Sequence, residues 1–233
     1  MKFAISGLAL GAAIAMGGCA AQAATVLVGS SAGFAGERDA LFETLTALGH
    51  TYTTTYSAAV DIAISVSGHS VSRNALIPYI QVGDWGDGNI SDSYVSIPDG
   101  SAITVNVTGP SALLSYVDAS WSSRGFHAND YGASDFIGYA TSIPGLAEIV
   151  HEGNTYSNTF AVDDDNIYFG WNVYGALADA NDIQLFSNAI NYLTGDAITA
   201  VQTSTVPLPA TLPLLLGGFA LMGAAARRRR ARA

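Results

Sequence analysis

Residues 25–66 read TVLVGSSAGFAGERDALFETLTALGHTYTTTYSAAVDIAISV, and this stretch decides the fold class. Thr25-Val26-Leu27-Val28 is a short apolar run ending at Gly29, the form of a buried parallel strand. After a Gly/Ser/Ala loop, Glu37 to Leu48 carries Leu41, Leu45 and Leu48 at helical spacing. Gly49 follows at the position where helices close in a left-handed conformation. Thr51 to Tyr56, rich in Thr and Tyr, reads as a second strand. Asp61-Ile62-Ala63-Ile64-Ser65-Val66 reads as a third, ending at Ser67-Gly68. Strand, helix, strand in this order predicts a right-handed βαβ unit within an α/β fold: a mostly parallel sheet flanked by helices.

Outward from this unit the pattern continues. Ile80-Gln81-Val82 runs into the turn-rich Gly83-Asp84-Trp85-Gly86-Asp87-Gly88-Asn89, and Ala102 to Val107 reads as a strand stopped by Gly109-Pro110. Phe136 to Ala140, Ala147 to His151, Thr159 to Val162 and Asn166 to Trp171 read as further strands. The last two form a hairpin across Asp163-Asp164-Asp165. A closing helix has Ile183, Phe186, Ile190 and Leu193 on one face, an Asp/Asn cluster at its start and Gly195 after its end. No repeat or change of composition divides residues 24–200, so they are expected to form one domain.

This order of elements resembles the class I glutamine amidotransferase-like, flavodoxin-like fold, particularly its secreted and ThuA-like branches. The phrases that carry the likeness are the first βαβ unit, Gly83-Asp84-Trp85-Gly86 after a strand, and Tyr168-Phe169-Gly170-Trp171-Asn172 leading into Leu185-Phe186-Ser187-Asn188-Ala189-Ile190. The amidotransferase reaction needs a cysteine thiolate activated by a histidine and a carboxylate. The chain has one cysteine, Cys19, so that chemistry does not carry over.

The two ends have a different character. Lys2 precedes an apolar run from Phe3 to Met16, and Ala21-Gln22-Ala23 has the small-x-small form cut by signal peptidase. Residues 1–23 therefore read as an export signal, with the mature chain starting at Ala24. Met16-Gly17-Gly18-Cys19 approaches the bacterial lipobox, so lipidation of Cys19 stays open. At the other end a linker, 201–205, leads to Val206-Pro207-Leu208-Pro209-Ala210, an apolar stretch and Arg227-Arg228-Arg229-Arg230. Val206 to Ala226 would make about 31 Å of helix at ~1.5 Å per residue, enough to span a ~30 Å hydrocarbon core. The arginines would then be the cytoplasmic stop. Residues 206–233 resemble the PEP-CTERM class of sorting signals in its VPLPA variant: a Pro-containing motif, one apolar helix and a terminal Arg cluster. The resemblance implies an inner-membrane precursor processed by an exosortase, a membrane transpeptidase-like enzyme of Gram-negative bacteria, and release to the cell surface or the exterior.

Charge separates the ends from the body. Of nine basic residues only Arg38, Arg73 and Arg124 lie outside the tails, against nineteen acids, a formal −16. Such a body repels phosphate backbones, which excludes nucleic acid as a partner.

Candidate chemistry is sparse. Gly29-Ser30-Ser31-Ala32-Gly33 fits the Gly-x-Ser-x-Gly pattern but follows the first strand and reads as a turn. His50, after the first helix, reads as a favourable charge at the negative end of the helix dipole. His69 after the third strand, Asp84 after the fourth and loop residue His127 are the candidates for a cleft, because open α/β sheets bind ligands at strand carboxyl ends. The Asp/Asn-rich turns holding Asp84 and Asp87, and Asp163 and Asp165, have oxygen ligands suited to calcium, but also the ordinary composition of turns. Trp85, Trp121, Tyr131, Trp171 and Tyr174 are candidates for a carbohydrate platform or for the core. Three functions remain open: an exported, non-catalytic display domain, a hydrolase acting on envelope carbohydrate, and a calcium- or glycan-binding module with extracellular polysaccharide as its partner.

Overall fold

Parallel strands open the described body, antiparallel hairpins fill its middle and a helix closes it. The structure, a computed structural model, describes residues 23–29, 35–66, 76–83, 90, 92–127, 134–176 and 178–201. Strand β1 (Thr25–Val28), helix α1 (Ala35–Ala47), strand β2 (Thr51–Thr53) and strand β3 (Ile62–Val66) form the expected opening unit. β2 and β3 lie parallel on either side of β1. Gly49 takes the left-handed conformation expected of it, with φ 87°. β4 (Tyr79–Val82) pairs parallel with β3, and β12 (Asn166–Phe169) parallel with β4. The order β2-β1-β3-β4-β12 is that of a doubly wound flavodoxin-like sheet, 2-1-3-4-5, with β12 in the fifth place.

Between β4 and β12 the chain departs from βα alternation. It forms β5 (Asp92–Pro98), β6 (Ala102–Val107), a 3₁₀ turn (Ala112–Leu114), β7 (Ser120–Arg124), β8 (Phe126–His127), β9 (Ser134–Ala140), β10 (Gly145–His151) and β11 (Asn154–Asp163). β11, β10, β6 and β7 continue the large sheet antiparallel beyond β12, giving nine strands in all, and β5, β9 and β8 make a separate three-stranded sheet. The large sheet is therefore mixed, parallel through its first five strands and antiparallel through the rest. Connection length explains the change. Parallel neighbours need a crossover of a dozen or more residues, whereas two-residue turns force antiparallel pairing. Glu152 and Gly153 join β10 to β11 with φ of 47° and 80°, the positive pair that a tight hairpin favours. The expected hairpin of β11 and β12 is present, with Asp163 opposite Asn166.

Both helices pack on one face. Val26, Val28, Ile62, Ile64, Ile80, Val82, Ile167 and Phe169 alternate toward Leu41 and Leu45 of α1 and toward Leu185, Phe186, Ala189 and Ile190 of α2 (Ala180–Thr194) in one core. Leu27, Ala63 and Tyr79 point to the opposite face, as does Tyr168. Among the described residues no helix is long and apolar enough to cross a membrane; the stretch read as a spanning segment, 206–226, lies outside them.

α2 is buried on more than its sheet side. Asp182, Gln184, Ser187, Asn188 and Asn191 are buried as well as its apolar residues. The Nδ2 of Asn188 donates to the carbonyls of Leu113 (2.8 Å) and Ser115 (2.7 Å). Gln184 grips the end of the body: its Nε2 donates to the Thr199 carbonyl (2.9 Å) and its Oε1 accepts from the Val201 N–H. The helix begins with a capping box built from Asp179 and Asp182 and ends at Gly195, φ 76°.

Candidate functional site

Two polar residues interrupt otherwise apolar buried strands near their carboxyl ends. Ser65 precedes the last residue of β3 and Gln81 the last of β4; they are register partners, and Gln81 is next paired with Tyr168 of β12. This row lies on the sheet face away from the helices. Ser65 is 0% and Gln81 1% exposed, yet among the described residues the Ser65 hydroxyl and the Gln81 Oε1 have no hydrogen-bond partner. Buried polar groups without partners are uncommon and costly, about 1–3 kcal/mol each. The Gln81 Nε2 does have one, the Asp92 Oδ2 at 2.8 Å.

The small sheet delivers Asp92 to this place. β5 pairs along its whole length with β9, Asp92 opposite Ala140. β9 is tied to the end of β12: the Gly138 N–H donates to the Gly170 carbonyl and the Gly170 N–H to that of Thr159, both at 2.7 Å. Burial pushes the Asp92 carboxyl up to about 6, against the opposing hydrogen bonds from its own backbone and Gln81. A carboxyl poised there can hold or release a proton near neutral pH. With a buried amide oxygen and hydroxyl nearby, it can receive a small polar ligand or serve as an acid or base.

The expected cleft residues lie at the edge of this region. His69, Asp84 and Asp87 fall outside the described residues. His127 is described through its backbone, in β8 opposite Asp135. Its neighbour Phe126 packs on Gly83, the residue before Asp84; a Cβ on Gly83 would stand 2.9 Å from the Phe126 ring. The chain segments leading to Asp84 and His127 are thus adjacent at the end of β4. Asp163 and Asp165 bracket the β11–β12 turn, where the Asp165 carbonyl accepts from the Tyr79 N–H at 2.8 Å. Among the described residues no three His, Cys, Asp or Glu side chains gather where they could hold a metal ion. Ala23 is exposed and Ala24 buried where the chain leads into β1; the sorting motif 206–210 and the arginines 227–230 lie outside the described residues.

Of the five aromatics open to a platform or to the core, Trp85 and Tyr131 lie outside the described residues, and Trp121, Trp171 and Tyr174 are buried in the core and form no platform. The Nε1–H groups of Trp121 (2.7 Å) and Trp171 (2.8 Å) both donate to the Asp182 Oδ1, while the Ser123 hydroxyl (2.6 Å) and the Asp179 N–H (2.8 Å) donate to Oδ2. Burial raises the Asp182 pKa, and the four donors oppose the rise. With both oxygens occupied, Asp182 pins β7 and the end of β12 to the start of α2. Nor is His50 a charged helix cap. It is buried, its Nδ1 accepts from the Ala24 N–H at 3.2 Å, and burial lowers its pKa against the attraction of Asp196. A ring accepting at Nδ1 is neutral, with its proton on Nε2.

No protein-family model matches the chain, and no curated protein does. Among solved structures it is similar to a putative GMP synthase subunit from Thermoplasma acidophilum, at 10% identity over 74% of this chain and 95% of that one, with a TM-score of 0.48. It is also similar to a glutamine amidotransferase from Thermotoga maritima, at 7% identity over 73% and 83%, with a TM-score of 0.41. Neither superposition carries an argument about chemistry. The class of the fold, α/β with a doubly wound parallel half, rests on the strand order.

Proposed function

We propose that the chain is an exported cell-envelope protein, sorted by an exosortase, whose α/β domain is displayed outside the cell and binds rather than turns over its ligand. The observation that carries this reading is the tail: Val206 to Ala210, an apolar stretch and Arg227 to Arg230 in that order. The body is compatible with both cuts. β1 starts at Thr25, so cleavage after Ala23 removes no strand. Gln184 holds Thr199 and Val201 against α2, so the packed body extends to Val201, and a cut at or after Val206 removes none of these contacts. The amidotransferase reaction goes with the missing thiolate, since Cys19 lies in the export signal. Intact-mass analysis of the native protein is the test. A start at Ala24 and a C-terminus near the motif are expected; a mature form still carrying Arg232 overturns sorting. A lipidated N-terminal Cys19 would overturn the Ala24 start.

One observation favours a second reading, hydrolysis of envelope carbohydrate. Asp92, with a pKa of about 6 beside Gln81, has the ionisation that a general acid needs. Turnover of glycosidic or ester substrates that disappears in both Asp92→Asn and His127→Ala would replace the non-catalytic reading by this one.

A further inference from the structure

We infer that the open groove of about 430 Å³ between the end of β9 and the first half of β11 is a binding site for a neutral carbohydrate. The inference rests on the reading of the domain as a binding module and is independent of how the tails are processed. Tyr139, Thr141, Thr155, Tyr156, Ser157 and Asn158 line the groove. The two tyrosines are half-buried, each ring partly held by the protein, while Thr141, Thr155 and Ser157 are exposed. Its volume falls in the usual ~300–1,000 Å³ of small-ligand sites.

Its chemistry selects the ligand. Sugars present C–H faces that lie on aromatic rings and hydroxyls that exchange hydrogen bonds with Ser, Thr and Asn, and those groups are what the groove offers. The described residues lining it include no cation to pair with a carboxylate or phosphate. The acidic body repels anionic polymers in addition, which leaves an uncharged glycan.

The groove is also fixed in shape. Asn158 has φ 60°, a left-handed conformation that asparagine adopts more readily than other non-glycine residues because its side chain can bond locally. It is held there from two sides: its Oδ1 accepts from the Gly145 N–H at 2.8 Å and its Nδ2 donates to the Ala140 carbonyl at 3.4 Å. The β10–β11 pairing shifts register twice beside it, and such irregularities re-aim side chains next to binding sites. A site held this way loses little freedom on binding.

Affinity electrophoresis of the full chain in detergent tests the inference, with hydroxyethyl cellulose, dextran, laminarin or galactomannan cast in the gel and anionic alginate as control. Retardation by at least one neutral glycan and none by alginate is expected. Tyr156→Ala should weaken it at least tenfold. Because Tyr156 also packs on the core, Ser157→Arg, an exposed change that puts charge and bulk into the groove, should do the same with an unchanged melting temperature. No retardation by any of the four, retardation by alginate alone, or equal retardation of the wild type and Ser157→Arg overturns the inference. Intact-mass results leave it standing, and its failure leaves the sorting reading standing.

Discussion

Asp182 shows how much one side chain can hold. Four donors converge on a fully buried carboxyl, from two strand residues, the end of β12 and the helix N-cap. Asp182→Ala leaves them all without an acceptor, and at about 1–3 kcal/mol for each unsatisfied buried group the domain should fail to fold stably. Asp182→Asn keeps the shape and an oxygen for the two indoles, but turns an amide donor toward the Asp179 N–H. A loss of about 1–3 kcal/mol is expected, read as a lower urea midpoint with an unchanged slope. Asp92 acts through pH. Its folded pKa of about 6 lies above the ordinary value of 3.8, so the folded state binds the proton more tightly than the unfolded one. Stability from this group is complete below the ordinary value and declines as pH rises toward about 6. Urea midpoints measured across this range should fall more in the wild type than in Asp92→Asn, and parallel curves would refute the assignment.

At the scale of elements, the join between the small sheet and β12 is the tightest place in the molecule. Gly138 of β9 and Gly170 face each other so closely that a Cβ on Gly170 would overlap the Gly138 carbonyl. Gly170→Ala must push β9 away, and with it β5 and Asp92. The expected cost is about 2 kcal/mol or more, typical of forced overpacking, together with a fall of the Asp92 pKa toward its ordinary value as the carboxyl becomes solvated. Gly153, at the β10–β11 turn, is the contrast. It has φ 80° and open space, with nothing within 4 Å of where a Cβ would stand, so Gly153→Ala costs conformational strain alone, about 1 kcal/mol. Melting curves of the two variants should separate overlap from strain. A Gly170→Ala protein as stable as Gly153→Ala would show that the two sheets do not depend on this contact.

At the scale of the whole molecule, charge dominates. The body carries three basic residues against nineteen acids, and the Arg38–Asp39 ion pair is a long one, at 3.9 Å. Self-repulsion of this size destabilises the compact state and is screened by salt. The processed protein should therefore melt higher at 1 M than at 0.05 M sodium chloride, with sodium sulfate adding the further effect of an excluded salt. A melting temperature independent of sodium chloride would mean that the carboxylates are spaced beyond each other's reach.

The features legible in the amino-acid order are those that depend on near neighbours in the chain. The strands around Val26, Ile62, Ile80 and Phe160, the Gly49 and Gly195 helix ends and the β11–β12 hairpin follow from local apolar pattern and turn chemistry, and the charge split and tail motifs are matters of order alone. Long-range pairing decided the rest. Nothing local says that β12 lies between β4 and β11, that Asp92 meets Gln81, or that Trp121 and Trp171 share one carboxylate across the fold. Ser65 and Gln81 left a trace, as polar residues in apolar strands. Asn158 and its groove left none, because a left-handed asparagine in a strand and the two tyrosines beside it acquire meaning only when β9 crosses β11. Backbone preference acts over a few residues, whereas burial and hydrogen-bond pairing are properties of surfaces that only the folded chain brings together.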